Sequence, residues 1–491
     1  MSLTASHVVP ADREFVWEWH TRPGALARLA PPFIPMVPIR QAERLADGKT
    51  VFSLPAGLKW VSQHDLSAYH RGHRFTDVCT SAPFKAVANW RHSHEFADHP
   101  DGTLITDNVT TRLPAGTLNA MFAFRQHQLI EDIRAIHRSR GYAADETDPA
   151  RQRPLVVAMT GSRGLVGRAL TAQLTTMGHQ VIQLVRREPK PGQRHWDPHY
   201  PDRDLLTGVD VLVHLAGEPI SGRFNEAHKA AIRDSRIEPT RRLAQLVADS
   251  PTCRRMVSAS AIGYYGADRG EELLSEDSEP GEGFLADTVR DWESATGAAA
   301  ESGARVAQLR TGLVLSGRGG LLPPLRTLFS AGLGGNFGDG NFWMSWIALD
   351  DLTDIYVRAI LDDALTGPVN AVAPNAVINR DMVTALSREL HRPAFIQIPA
   401  LGPKMLLGRE GAAELAMANQ HVQPKLLQQL QHHFRYPTVS PALAHELGYE
   451  ELWGTGDQMN QTNASEDAGA GEDPGPDGRD EAAGTGAGTD G

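Results

Sequence analysis

Between Leu155 and about Val372 two apolar patterns alternate along the chain. Short β-rich runs fall at 155–159, 181–185, 209–215, 255–260 and 305–310, and helical spacing fills 165–177, 225–249 and 285–302. Strands separated by helices at that interval predict a parallel, doubly wound α/β sheet. The first 140 residues are patterned differently. They are rich in Trp, His and Phe, with alternating runs such as Thr103–Thr110. That region closes on a long helical pattern from Leu118 to Ser139, which predicts a separate α+β domain over 1–140. Residues 141–154 are polar and proline-containing and read as a linker, while 155–372 form the α/β domain and 373–453 a mostly helical C-terminal lobe. Residues 454–491 are Gly-, Asp-, Glu- and Ala-rich with almost no large apolar side chain, so they cannot offset their ordering entropy and are expected to be disordered.

The end of the strand at 155–159 carries the chemistry. It runs into Thr160-Gly161-Ser162-Arg163-Gly164-Leu165-Val166-Gly167, glycines three apart where a strand gives way to a helix. Gly161 permits a tight turn, Gly164 lets backbone approach a pyrophosphate, and Gly167 allows close packing of helix on strand. The free N–H groups and positive dipole end at the helix start, where Leu165 and Val166 stand, favour phosphate. The α/β unit is therefore expected to be of Rossmann type and to hold a dinucleotide. The strand at 181–185 ends at Arg186-Arg187. An acid there would bind the ribose of NAD, whereas guanidinium groups suit a 2′-phosphate, and Arg163 adds a third cation. NADP is expected over NAD; solvated arginines closing a strand are the plainer alternative.

Composition narrows the classes. The net charge of −11 is concentrated in the tail, where nine acids face one arginine from Asp457 onward, so the rest carries only about −3. No basic face suggests nucleic acid. The two cysteines, Cys79 and Cys253, fall in different domains, so no disulfide framework is expected and a cytoplasmic setting fits. No apolar run approaches membrane-spanning length, and no signal pattern opens the chain.

Further motifs accompany the glycine turn: HLAGEPI at 214–220, SASAIGYYG at 258–266, LRTGLVLS at 309–316 and GLGGNFGDGNFWMSWIALDD at 332–351. Together, over residues 155–450, these resemble the extended short-chain dehydrogenases/reductases. Within them they are similar to the atypical epimerase-family, nucleoside-diphosphate-sugar-epimerase-like branch. The resemblance implies an oxidoreductase or epimerase acting on a small molecule, with homodimerisation through paired helices as one option. It implies that Leu215, Ala216 and Gly217 lie against the adenosine, that Arg236 reaches back to the cofactor, and that Leu315 sits on the nicotinamide side. A surface helix arginine is the alternative for Arg236.

Proton transfer in that superfamily ordinarily uses a Tyr-x-x-x-Lys pair and a serine. This chain contains no Tyr-x-x-x-Lys, and alignment of the helix puts Leu285 and Val289 at those places. The serine position survives as Ser260, with Tyr264 and Tyr265 just beyond it. Ser260 and Tyr265 are the catalytic candidates. Tyr264, Trp343 and Trp346 are the substrate candidates, the indoles offering flat faces for stacking. Loop packing and interdomain core are the alternatives for these aromatics. His214 is expected to be a satisfied strand-end residue, Arg310 a loop anchor, and Asp350 or Asp351 the N-cap of a helix at 352–362.

The order of elements in residues 1–140 resembles the START-like polyketide-cyclase and lipid-transfer group: a strand at 5–9, a helix at 11–19, alternating strands, then an amphipathic helix bearing Phe122, Phe124, Leu129, Ile133 and Ile136. The resemblance implies a helix-grip fold whose cavity takes a hydrophobic ligand; a filled core is the alternative. His64, Asp65, His70, His73, His92 and His94 are numerous, and His92 and His94 share one face of a strand. No third ligand follows at a recognisable distance, so solvated or hydrogen-bonded histidines are expected, and no metal. The whole reads as an NADP-binding reductase or epimerase fused to a ligand-binding module. Two rivals are an NADP-gated binding protein without turnover and an enzyme seated in the first domain.

Overall fold

The computed structural model describes residues 2–142, 153–399 and 401–454. The expected linker and acidic tail lie largely outside them. In the first part, seven antiparallel strands form one sheet: β1 (Ser2–Val9), β2 (Val37–Arg40), β3 (Lys49–Ser53), β4 (Lys59–His64), β5 (Arg74–Cys79), β6 (Arg91–His99) and β7 (Gly102–Thr110). Their order is β1-β7-β6-β5-β4-β3-β2, because β1 returns to pair with β7 from Ser2↔Thr110 to Val9↔Thr103. Burial alternates along β7, as one packed face and one wet face require. The packed face meets the 26-residue helix Ala115–Arg140, which buries Leu129 and Ile133 against Val9, Phe96 and Ile105, and Phe122 against Ala5 and Val109. Asp12 caps the helix Arg13–Thr21 by accepting from Phe15 N at 2.8 Å.

The second sheet is wholly parallel. Its strands run Gln193–His195, Gln180–Val185, Val156–Thr160, Val211–His214, Arg255–Ala261, Arg305–Thr311 and Gly367–Ala371 across the sheet. Alternate residues feed opposite cores. Val157, Met159, Val211 and Val213 join one cluster, and Ala158 and Leu212 the other. The chain order reverses between Val156–Thr160 and Val211–His214, leaving a crevice at their carboxyl ends. The two outer strands escape the sequence pattern. Gln193–His195 is only three residues long, and Pro368 interrupts Gly367–Ala371, tolerated because that strand lies at the sheet edge. The stretch 225–249 is two helices, Glu226–Asp234 and Ile237–Asp249, because Pro239 has no N–H for the carbonyl of residue 235. The stretch 285–302 likewise breaks before Gly297, into Phe284–Ser294 and Gly297–Glu301.

Helices Asn379–Glu389 and Val439–Leu447 build a third core with Trp346 and Phe329. Buried charges join the two halves. Arg28 makes two hydrogen bonds to Asp132, at 2.8 and 2.6 Å, and reaches Asp350 at 2.7 Å. Arg435 bridges Asp132 at 2.9 Å and Asp354 at 2.7 Å. The expected capping role of Asp350 or Asp351 is not realised. The helix starts at Leu349, and Asp351 accepts instead from the amides of Arg435 and Tyr436. Among the described residues no helix is long and apolar enough to cross a membrane.

Candidate functional site

At the crevice the chain turns sharply through Gly161, whose φ of +65° is left-handed. A Cβ there would stand 2.7 Å from the carbonyl carbon of Leu215, so the turn presses directly on the neighbouring strand. A Cβ on Gly167 would meet the Gly161 carbonyl oxygen at 2.4 Å, which is the close helix-on-turn packing expected from the sequence. Gly164 differs. It precedes the helix Leu165–Thr176, is exposed, and a Cβ there would meet only the Gly161 carbonyl oxygen at 3.2 Å. The opening in front of it is therefore available to a ligand. Thr160 locks the two strand ends together. Its Oγ1 accepts from the amides of Leu215 and Ala216 at 3.1 and 3.2 Å and lies 2.7 Å from His214 Nδ1. His214 is fully buried, its Nε2 has no partner, and burial pushes its pKa down to about 4.

Cations without acid partners surround this turn. Arg163 in the turn and Arg186 and Arg187 after the second strand are exposed. Among the described residues none of the three forms an ion pair. Arg236 lies against Gly217, where a Cβ would come within 3.0 Å of its guanidinium carbon. Among the described residues its side chain donates to the Ile232 carbonyl and the Ser235 hydroxyl, and it stacks 5.2 Å from the Trp292 ring. Burial lowers its pKa to about 10, an effect that the Glu218 carboxylate, which makes no ion pair with it, offsets only in part. A half-buried cation in that state is a natural seat for an anion. The glycine turn and these guanidinium groups fit a phosphorylated dinucleotide.

Deeper along the crevice the pairing Ser260↔Arg310 brings two strands' polar ends together. Glu293 joins them: it accepts from Ser260 Oγ at 2.6 Å and from Arg310 Nε and Nη2 at 2.9 and 2.8 Å. Arg310 also stacks over Tyr264, 3.5 Å from the ring centre, and donates to the Tyr265 hydroxyl at 3.1 Å. The expected catalytic role of Tyr265 does not fit. The residue is 0% exposed, its hydroxyl lies 2.7 Å from Asn370 Oδ1 and 2.9 Å from the Ser275 carbonyl, and burial raises its pKa to about 12. Trp346 is likewise a core residue rather than a substrate contact, fully buried with its indole N–H on the Asn375 carbonyl. Leu315 packs in the same cluster, so its side chain faces away from the crevice's solvent. Trp343 is half-buried, stacked 3.8 Å from His421 and donating to Glu271. Leu285 and Val289 are buried beside Gly263, so the places of the usual tyrosine and lysine are apolar. No spacing in the sequence singles out Glu293 or Asn370 as site residues, because only the packing of the helix Phe284–Ser294 on the sheet and the pairing of the edge strand bring them to their partners.

A second opening lies in the first half: a cavity of about 240 Å³ between its sheet and the helix Ala115–Arg140. Trp60, Phe75, Met121 and Phe122 line it, together with Asp77, His92, His94 and Arg125. The expectation that His92 and His94 lack a third ligand needs correcting. Asp77 on β5 stands opposite His92, and ligand atoms of all three lie within 4.8 Å of one another.

The chain is similar to known proteins over both halves. A model of the NAD dependent epimerase/dehydratase family matches residues 157–372, and a domain of unknown function matches 398–446. An epimerase family protein of Mycobacterium bovis is 41% identical over 294 residues, covering 59% of this chain and 97% of that protein. A crystal structure described as the nucleoside-diphosphate sugar epimerase of Corynebacterium glutamicum is 57% identical with a TM-score of 0.81, covering 96% of this chain and 94% of that one. The human epimerase family protein SDR39U1, solved with NADPH, is 30% identical with a TM-score of 0.55, covering 60% of this chain and 99% of that one.

Proposed function

Because the chain belongs to the NAD dependent epimerase/dehydratase family, we propose that it binds NADP at the Gly161–Gly167 turn and acts as an epimerase-like oxidoreductase on a small substrate. The observation that carries this reading is the set of acid-free guanidinium groups around an open glycine turn. The amides from Ser162 to Leu165 take the pyrophosphate, and Arg163, Arg186 and Arg187 take the 2′-phosphate. Leu215, Ala216 and Gly217 lie along the adenosine, with Arg236 closing over them. When bound, the coenzyme supplies or accepts a hydride.

The chain's own part is to position the substrate oxygen and its proton. Ser260 donates to Glu293, so its oxygen is left to accept from a substrate hydroxyl, and Arg310 holds Glu293 in place. Tyr264 and Trp343 border the substrate side. One observation favours the rival, an NADP-gated binding protein. Leu285 and Val289 offer no acid or base where the superfamily keeps its pair. NADPH oxidation by any member of a panel of carbonyl compounds, abolished by Ser260→Ala, decides for the enzyme. The first half we read as a START-like helix-grip module that takes an apolar ligand into its 240 Å³ cavity. Calorimetry tests the cofactor assignment: NADP is expected to bind at least about tenfold more tightly than NAD. Equal affinity would remove Arg186 and Arg187 from the site.

A further inference from the structure

Strand register brings polar side chains from three separate stretches of sequence to the wall of the first-half cavity. Asp77 stands opposite His92, and His94 stands opposite Asp107. Residues 92 and 94 share a face, as alternate strand positions must. Both imidazoles turn one nitrogen to the same oxygen, Asp107 Oδ1: His92 Nε2 at 2.8 Å and His94 Nδ1 at 2.8 Å. A carboxylate only accepts, so those two nitrogens carry protons. The opposite nitrogens, His92 Nδ1 and His94 Nε2, face Asp77 Oδ1 at 3.6 and 3.9 Å. The other Asp77 oxygen accepts from Ser62 Oγ at 2.9 Å and Trp90 Nε1 at 3.1 Å, which leaves Oδ1 to point inward. Two lone pairs and an anionic oxygen thus converge within a largely apolar wall. Such a group repels itself unless a cation lies between its members.

We propose that Asp77, His92 and His94 bind one divalent first-row transition-metal ion, with Asp107 holding both imidazoles from outside and further coordination positions open to the cavity. Two histidines and one carboxylate on one side of an ion are a suitable donor set for zinc or iron(II). A carboxylate on the outer nitrogen of each ligand histidine fixes its tautomer and raises its basicity. Tetrahedral bonds of about 2.1 Å place donor atoms roughly 3.4 Å apart, so the gaps at Asp77 close by only a few tenths of an ångström. The charge around the site points the same way. Arg125 lines the cavity with its Nε unpartnered, so an ion with open positions beside it suits an apolar guest carrying an anionic oxygen. None of this depends on the dinucleotide reading.

The test strips the full chain with a chelator and titrates it with CoCl2, then with ZnCl2 in competition. One equivalent of Co²⁺ is expected, with visible d–d bands that Zn²⁺ bleaches. Asp77→Asn and Asp107→Asn are each expected to weaken binding about 10- to 100-fold. The double variant His70→Ala with His73→Ala, at exposed histidines, is expected to change nothing. X-ray absorption of the zinc-loaded native chain is expected to show two imidazoles with oxygen and no sulfur, and needs no variant to fold. Absence of the bands, bands indifferent to a folded Asp77→Asn, or a shell without two imidazoles overturns the proposal.

Discussion

Alanine at Gly161 and alanine at Gly164 separate folding from binding at one turn. At Gly161 the native φ of +65° costs a residue with a Cβ about 1–2 kcal/mol. The new carbon also stands 2.7–2.8 Å from the backbone of Leu215 and Ala216. Neither strand can yield like a side chain, and overpacking of this kind costs about 1–3 kcal/mol more. Gly161→Ala is thus expected to lose about 2–5 kcal/mol, a large part of a typical domain's stability. At Gly164 φ is −70°, and the single close atom is the Gly161 oxygen at 3.2 Å. Gly164→Ala should change stability by no more than about 1 kcal/mol. Its methyl group, however, fills the opening before the helix amides. Losing one charge-assisted amide bond, worth about 1.5–3 kcal/mol, weakens NADPH about 10- to 100-fold. Urea unfolding reads the first effect and fluorescence titration of NADPH the second. A Gly164→Ala chain that binds NADPH within about threefold of the native affinity would refute the placement of the pyrophosphate.

Three further outcomes follow from the same geometry. Replacing Arg186 with Asp and Arg187 with Ser should cost NADP about 10- to 100-fold in calorimetry while sparing NAD; equal losses for both would contradict the role of these arginines. Arg435→Met strands Asp354 as a buried carboxylate without its cation and leaves Asp132 to Arg28, so urea unfolding should show a loss of about 3–5 kcal/mol, and a loss under about 1 kcal/mol would count against the network. His445 is buried, which opposes its charge, yet Glu450 at 2.9 Å and Asp350 at 3.4 Å raise it from 6.5 to about 10. A raised imidazole contributes stability that is full below pH 6.5 and lost as pH climbs through about 10. Across that window the urea midpoint should fall more steeply for the native chain than for His445→Gln, and parallel slopes would refute the assignment.

The parallel sheet is legible in the sequence because its strands are buried on both faces. Val157 through Met159 need no polar alternation, and the glycines announce where the strand ends. The breaks in the helices escaped the periodicity, which runs unbroken over 225–249 and 285–302, although Pro239 stands in the first turn after one of them. Side-chain partners across the sheet were not legible either. Asp77 lies 15 residues from His92, and only antiparallel pairing makes them neighbours. Glu293 reaches Ser260 and Arg310 from a helix between the two strands that carry them, a contact no spacing rule encodes. Aromatic identity also misleads about exposure. Tyr265 and Trp346 look like pocket residues in the sequence, yet their polar atoms are satisfied inside the core, whereas Trp343, three positions earlier, stays half-exposed.

The most direct test is a crystal structure of the full chain grown with NADP. The account predicts the pyrophosphate against the amides between Ser162 and Leu165, with the 2′-phosphate touching at least one of Arg163, Arg186 and Arg187. A dinucleotide seated elsewhere, or none at saturating concentration, would contradict it.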